Sequence, residues 1–199
     1  MSKTLKDFSR EKIYRVCDQY IHSPNDISAA YFCRELDCNE GVFYNILHMG
    51  VKAQIIPDEW IPLLIKKSSD NSYLHGDEGG RQLSIRSYEW CIEKRKNFQF
   101  NNKETAKYAI DYACSPLSAA EYARQNYMPK KLLCKTLQRA IVDNLVKEDI
   151  VITMRIKALK FHPEENVILF FNKMMERRKE KIRLQKAKEE ARKNRKKYT

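Results

Sequence analysis

Shifted by 90 residues, this sequence falls into register with itself. Ser28, Ala29 and Ala30 then align with Ser118, Ala119 and Ala120, Arg34 with Arg124, and Leu47 with Leu137. Apolar residues meet apolar ones in between: Ile27 and Leu117, Phe32 and Tyr122, Val42 and Leu132, Phe43 and Leu133, Val51 and Ile141. A Ser-Pro pair precedes each copy, Ser23-Pro24 and Ser115-Pro116, with two extra residues in the first. Such a self-match points to a duplicated supersecondary unit, and 199 residues are enough for two small units.

The unit is helical. Apolar residues recur at spacings of three and four, as in Ile13, Val16, Cys17, Tyr20 and Ile21, and again in Tyr108, Ala109, Tyr112 and Ala113. Strand-like alternation is hard to find, so the expected fold class is all-α. Three of the five glycines lie in 76–80, inside the polar stretch 68–80, which reads as a loop. The expected organisation is a first unit over 1–68, a linker over 69–80, a second unit over 81–162 and a long basic helix over 163–199.

Each copy reads as a short helix, a tight turn and a second helix. In the first copy these are 27–36, the turn Asp37-Cys38-Asn39, and 40–50, with Asn39 as N-cap. In the second, Ser115 caps and Pro116 opens the first helix, Asn126-Tyr127-Met128 forms the turn, and Pro129 starts the second helix. Small residues, Cys33 and Ala123, stand where two helices would touch. Phe43, Ile46 and Leu47, and likewise Leu132, Leu133 and Leu137, face inward. This pattern resembles the helix-turn-helix of transcription regulators and sigma-type factors. The glycine usual in that turn is replaced by Asp37 and by Tyr127, and Asn126 is expected to take the left-handed conformation in the second copy.

The resemblance implies double-stranded DNA as partner, read by the second helix of each pair. The second copy offers Lys130, Lys131, Lys135, Gln138 and Arg139, donors suited to phosphates and to guanine. The first offers Asn39, Tyr44, Asn45 and His48 but also the acidic Glu40, and suits weak DNA reading or a protein partner.

The net charge of +12 favours a polyanion. From Lys173 to Thr199 there are 13 Lys or Arg against 4 Glu, a local net of +9. Val167, Phe170, Phe171 and Met174 form an apolar stripe that docks this helix at its start. Beyond Leu184 nothing apolar holds it, and Arg177, Arg178, Lys181 and Arg183 read as phosphate contacts. The six cysteines lack zinc-knuckle spacing and read as reduced, mostly buried thiols of a cytoplasmic protein. No signal peptide or membrane-length apolar run occurs.

No phosphate loop, metalloprotease motif or nucleophile elbow is present, and the adjacent His75-Gly76-Asp77-Glu78 makes a poor metal site. The expectation is therefore a non-enzymatic DNA-binding regulator or accessory factor, of a bacterial mobile element or phage, with no cofactor or metal and with homodimerisation left open. The rival expectation is a protein-interaction factor that inhibits or adapts a nucleic-acid enzyme, using aromatic-rich segments around Trp60, Tyr73, Tyr88 and Trp90.

Overall fold

The computed structural model describes residues 3–24, 27–74, 78–162 and 165–195, and all regular structure among them is helical. After a 3-10 turn at Leu5–Asp7 come α1 (Arg10–His22), α2 (Ala29–Leu36), α3 (Glu40–Lys52), α4 (Trp60–Leu74) and α5 (Glu78–Lys96). They are followed by α6 (Asn102–Cys114), α7 (Ala119–Gln125), α8 (Lys130–Val142), α9 (Glu148–Phe161) and α10 (Glu165–Arg195). Two compact units result: Met1–Gln99 with Arg124–Pro129, and Phe100–Ala123 with Lys130–Thr199.

In the first unit, the Ser9 hydroxyl accepts from the Lys12 amide and starts α1. The α1 stripe of Ile13, Val16, Cys17 and Tyr20 is buried, and α1 packs on α3 and α4. Phe43, Ile46, Leu47 and Val51 of α3 are wholly buried beneath it, each worth about 1.5–3 kcal/mol in apolar burial. Helix α1 approaches α3 so closely that a Cβ on Gly50 would lie 2.7 Å from Cys17 Sγ. Helix α5 closes the unit over α3 and α4, burying Tyr88 and Cys91. Arg95 then donates to the carbonyls of Val51 (2.9 Å) and Ile56 (3.3 Å).

The second unit repeats this plan. Helix α6 packs on α8 and α9, and α10 packs on the same two helices. The 90-residue offset relates α3 to α8 at both ends and α2 to α7 at the first residue. It also relates left-handed residues: Asp37 and Tyr127 have φ of 53° and 50°, Gln54 and Asn144 have 55° and 54°. The buried Lys67 and Lys157 are 90 apart too. Lys67 donates to Ser23 Oγ (2.5 Å), Lys157 to Ser115 Oγ (2.9 Å), and each ammonium stands over a tyrosine ring, Tyr20 or Tyr112. At the positions equivalent to Gly50 and Cys17 stand Ala140 and Ala109, both fully buried, so small residues occupy both places in the second unit. Last, Arg178 donates to the carbonyl of Val146 (2.9 Å), the position equivalent to Ile56, as Arg95 does in the first unit. The fifth helices share the order Tyr88, Cys91, Arg95 and Phe171, Met174, Arg178, now at an offset of 83, with all but Arg95 buried.

Several boundaries differ from those read in the sequence. The stretch expected to be a linker at 69–80 is helical through Leu74 and again from Glu78; residues 75–77, which include His75 and Asp77 of the weak metal motif, lie outside the described residues. Packing between α4 and α5 overrides the local glycine and serine content here. The first unit therefore runs on to Gln99, and α10 is the fifth helix of the second unit rather than a separate element. Helix α7 begins at Ala119, where Ser118 and Glu121 bond reciprocally, not at Pro116. Ser115 instead follows the end of α6 and bonds Lys157. Helix α8 starts at Lys130, one residue after Pro129.

The left-handed residue of the second turn is Tyr127 and not Asn126. An aromatic residue there is strained by about 1–2 kcal/mol. Offsetting contacts are at hand: the Tyr127 ring lies 4.9 Å from that of Tyr14, and Arg10 donates to the Tyr127 carbonyl at 2.6 Å. Among the described residues, no helix is long and apolar enough to cross a membrane.

Candidate nucleic-acid interface

Helix α8 separates its residues by face. Leu132, Leu133, Thr136, Ala140 and Ile141 turn inward, while Lys130, Lys131 and Lys135 are exposed. Lys131 and Lys135 are one turn apart and share a side of the helix. Lys130 and Lys131 occupy the first turn, where the helix dipole favours anions. The fold gains nothing from cations there. In the first unit the equivalent position holds Glu40, the charge a helix start prefers.

The remaining α8 donors are placed differently from the sequence expectation. Arg139 donates to the carbonyl of Phe100 (2.5 Å), to Asn102 Oδ1 (2.6 Å) and to Asp143 (3.2 Å), so its guanidinium pins α8 to the start of α6. It is a structural residue. Gln138 is half-exposed and lies beside α10, on the wall of an apolar groove.

The first-unit set is largely occupied. Asn39 uses its side chain to cap α3, accepting from the Val42 amide at 2.9 Å. Tyr44 is half-buried, and burial pushes its hydroxyl pKa up to about 12. His48 Nε2 lies 3.0 Å from Ser87 Oγ, and its ring packs edge-on against Tyr88. Only Asn45 of this set is both exposed and on the outer face of α3. The fifth helix covers this face, which the sequence pattern could not show.

His48 makes a pH prediction. Burial lowers its pKa below the ordinary 6.5. The unfolded chain therefore takes up the proton first, and the stabilisation present above pH 6.5 is lost as pH falls. Denaturant titrations of wild type and His48→Gln between pH 8 and 5 should converge as pH falls, with the variant losing less; parallel curves would refute this.

Helix α10 spans 31 residues, about 46 Å. Phe171 and Met174 are buried, as the apolar stripe requires, whereas Phe170 is 43% exposed. Arg178 is buried and bonded to Val146, which removes it from the phosphate-binding set. Lys181 pairs with Asp143 at 2.6 Å. Arg177 and Arg183 are exposed, the latter 3.5 Å from Glu180. Every residue from Arg183 to Lys193 is exposed; Lys196 and Lys197 lie outside the described residues.

The two basic regions lie at opposite ends of the unit. Lys130 and Cys134 at the start of α8 share a groove with Val167 and Phe170, whereas Asp143 just past its end meets Lys181. Helix α10 therefore runs roughly parallel to α8 and continues beyond it.

Charge is divided as sharply as architecture is shared. The second unit holds 23 Lys or Arg against 12 Asp or Glu, a net of +11, and the first holds 15 against 14, a net of +1. No family model, curated protein or solved structure matches the chain. The reading of this surface thus rests on its own chemistry. No cluster of three metal-ligating side chains occurs among the described residues. Of the aromatic residues singled out in the sequence, Tyr88 is wholly buried and Trp60 packs on Tyr14. Trp90 is 49% exposed beneath the Lys52 and Lys94 ammonium groups. The Tyr73 side chain lies outside the described set.

Proposed function

We propose that this chain is a non-enzymatic DNA-binding regulator or accessory factor that engages double-stranded DNA through its second unit. The observation that carries the reading is the asymmetry between two copies of one architecture: +11 against +1, with Lys130 replacing Glu40 at a helix start. Lysines that oppose the helix dipole find a use when a phosphate completes the site. Lys131 and Lys135 supply the outward row of α8, and the exposed part of α10 touches phosphates farther along the duplex.

Helix α8 is about 20 Å long, so the two basic regions are separated by more than half of the roughly 34 Å helical turn of DNA. Fluorescence anisotropy of labelled duplex against salt tests the proposal. Affinity should fall steeply and linearly on a log–log plot; absence of duplex binding at low salt would overturn it.

Truncation at residue 185 isolates the tail. Seven Lys or Arg are removed, but Phe171, Met174, Arg178 and Lys181 stay. The melting temperature should hold, and the salt slope should shrink by about 0.9 for each phosphate the tail had neutralised. An unchanged slope would remove the tail from the interface.

One observation favours a second reading, the protein-interaction factor. Ile152 and Ile156, one turn apart on α9, are 53% and 64% exposed. A protein partner would cover that pair, and duplex binding without salt dependence, or none, would shift the weight to it.

A further inference from the structure

Between α8, α9 and α10 lies a groove of about 290 Å³, lined by Cys134, Met154, Ala158, Phe161, Val167 and Phe171. Lys130 and Gln138 border it on the α8 side, and His162 stands at the end of α9. The first unit shows what fills the same place. Position 134 corresponds to Tyr44, 158 to Ser68 and 171 to Tyr88.

There the Tyr88 hydroxyl bonds Ser68 Oγ at 3.0 Å, and the half-buried Tyr44 hydroxyl lies near those of Tyr20 and Tyr88. In the second unit all three oxygen-bearing side chains are replaced by Cys, Ala and Phe. The phenol ring of Tyr44 has no counterpart, its neighbourhood has become apolar, and Lys130 stands at the rim where Glu40 stood.

We propose that this groove is a binding site for a small aromatic acid: one ring seated where a tyrosine at position 134 would lie, with its carboxylate toward Lys130. The size fits, since ligand pockets begin near 300 Å³ and this one admits about one ring with a short side chain. The apolar walls suit an aromatic body, and the rim supplies a cation for charge-assisted hydrogen bonding. An uncharged ring would gain the walls alone. Cys134, exposed at the groove mouth, has its thiol pKa raised by the bulk around it and reports directly on occupancy. The groove shares Lys130 with the proposed DNA interface, but its test uses no DNA and stands or falls whether or not duplex binds.

The test uses the full chain carrying Cys114→Ser, because Cys114 is the other exposed thiol among the described cysteines. Para-hydroxyphenylacetate and uncharged para-cresol are titrated by ligand-detected NMR, and maleimide labelling of Cys134 is timed by mass spectrometry. The acid should bind saturably, one per chain, and slow Cys134 labelling severalfold. Lys130→Glu should weaken the acid by about tenfold, the scale of one charge-assisted hydrogen bond, while changing para-cresol little. Cys134→Tyr should abolish binding of both by restoring the internal ring. No saturable binding with unaltered labelling overturns the proposal, as does equal weakening of both probes in Lys130→Glu. Undiminished binding in a folded Cys134→Tyr chain also refutes it. If Cys134→Tyr does not fold, labelling protection in the parent chain still decides.

Discussion

Lys130→Glu, Lys131→Glu and Lys135→Glu together should lower the affinity for duplex DNA at least about a hundredfold at moderate salt, with the fold intact. Three attractions to phosphate become three repulsions. Each neutralised phosphate carries about 0.9 of log–log salt slope, so the slope itself should fall by close to three. The fold should survive because all three side chains are exposed. Two of the substitutions put the favoured charge at the start of α8, so the melting temperature should hold or rise slightly. Asn45→Glu, on the outer face of α3, is the matched control and should cost little. Anisotropy titrations at three salt concentrations, with circular dichroism melts on the same samples, settle the matter. A triple variant that still binds with the parent slope would move the interface elsewhere.

That prediction draws on residues legible in the sequence, and its choice among them depends on packing that was not. The 90-residue offset and the three-four periodicity located α2, α3, α7 and α8, because inward positions are set by local helical geometry. Exposed Lys130, Lys131 and Lys135 follow from the same wheel. Arg139 and Arg178 look identical to them in sequence, yet one is bound to Phe100 and the other to Val146. An arginine's partner is a backbone carbonyl 30 or more residues away, and nothing local records it.

The fifth helices escaped for another reason. Their correspondence runs at an offset of 83, so a rigid 90-residue shift misses Tyr88 with Phe171 and Arg95 with Arg178. The stretch 68–80 carries glycine and serine that argue locally for a loop, while Ser68 is buried and bonded to Tyr88. Tertiary packing decided that segment, and with it the cover over Tyr44 and His48.

Lys157→Met should destabilise the second unit by about 2–3 kcal/mol, the cost of removing a charged donor from buried acceptors. Lys157 is 8% exposed, and its ammonium donates to the Tyr112 carbonyl (2.5 Å), the Ser115 carbonyl (2.6 Å) and Ser115 Oγ (2.9 Å). It also lies 3.9 Å from the centre of the Tyr112 ring. Those carbonyls stand at the C-terminal end of α6, where the helix leaves acceptors unsatisfied and a cation is favourable. Methionine keeps most of the volume and supplies no donor, so the substitution isolates the hydrogen bonds. Lys67→Met should cost the first unit a similar amount, because Lys67 serves Ser23 and Pro24 in the same way.

Native-state hydrogen exchange separates the two effects, since Lys157→Met should accelerate amides of α6 and Lys67→Met those of α1. Alkaline pH supplies a second signature. Burial lowers the Lys157 pKa below 10.5. The folded chain thus releases this proton before the unfolded chain does, and its contribution to stability rises with pH through the window below 10.5. The difference between wild type and Lys157→Met should accordingly widen as pH climbs toward that value. A gap that stays constant from pH 8 upward would mean that the amine keeps its ordinary pKa. Wild-type exchange rates in both variants would mean that the paired lysines are not the clasps holding the first helix of each unit to its fourth.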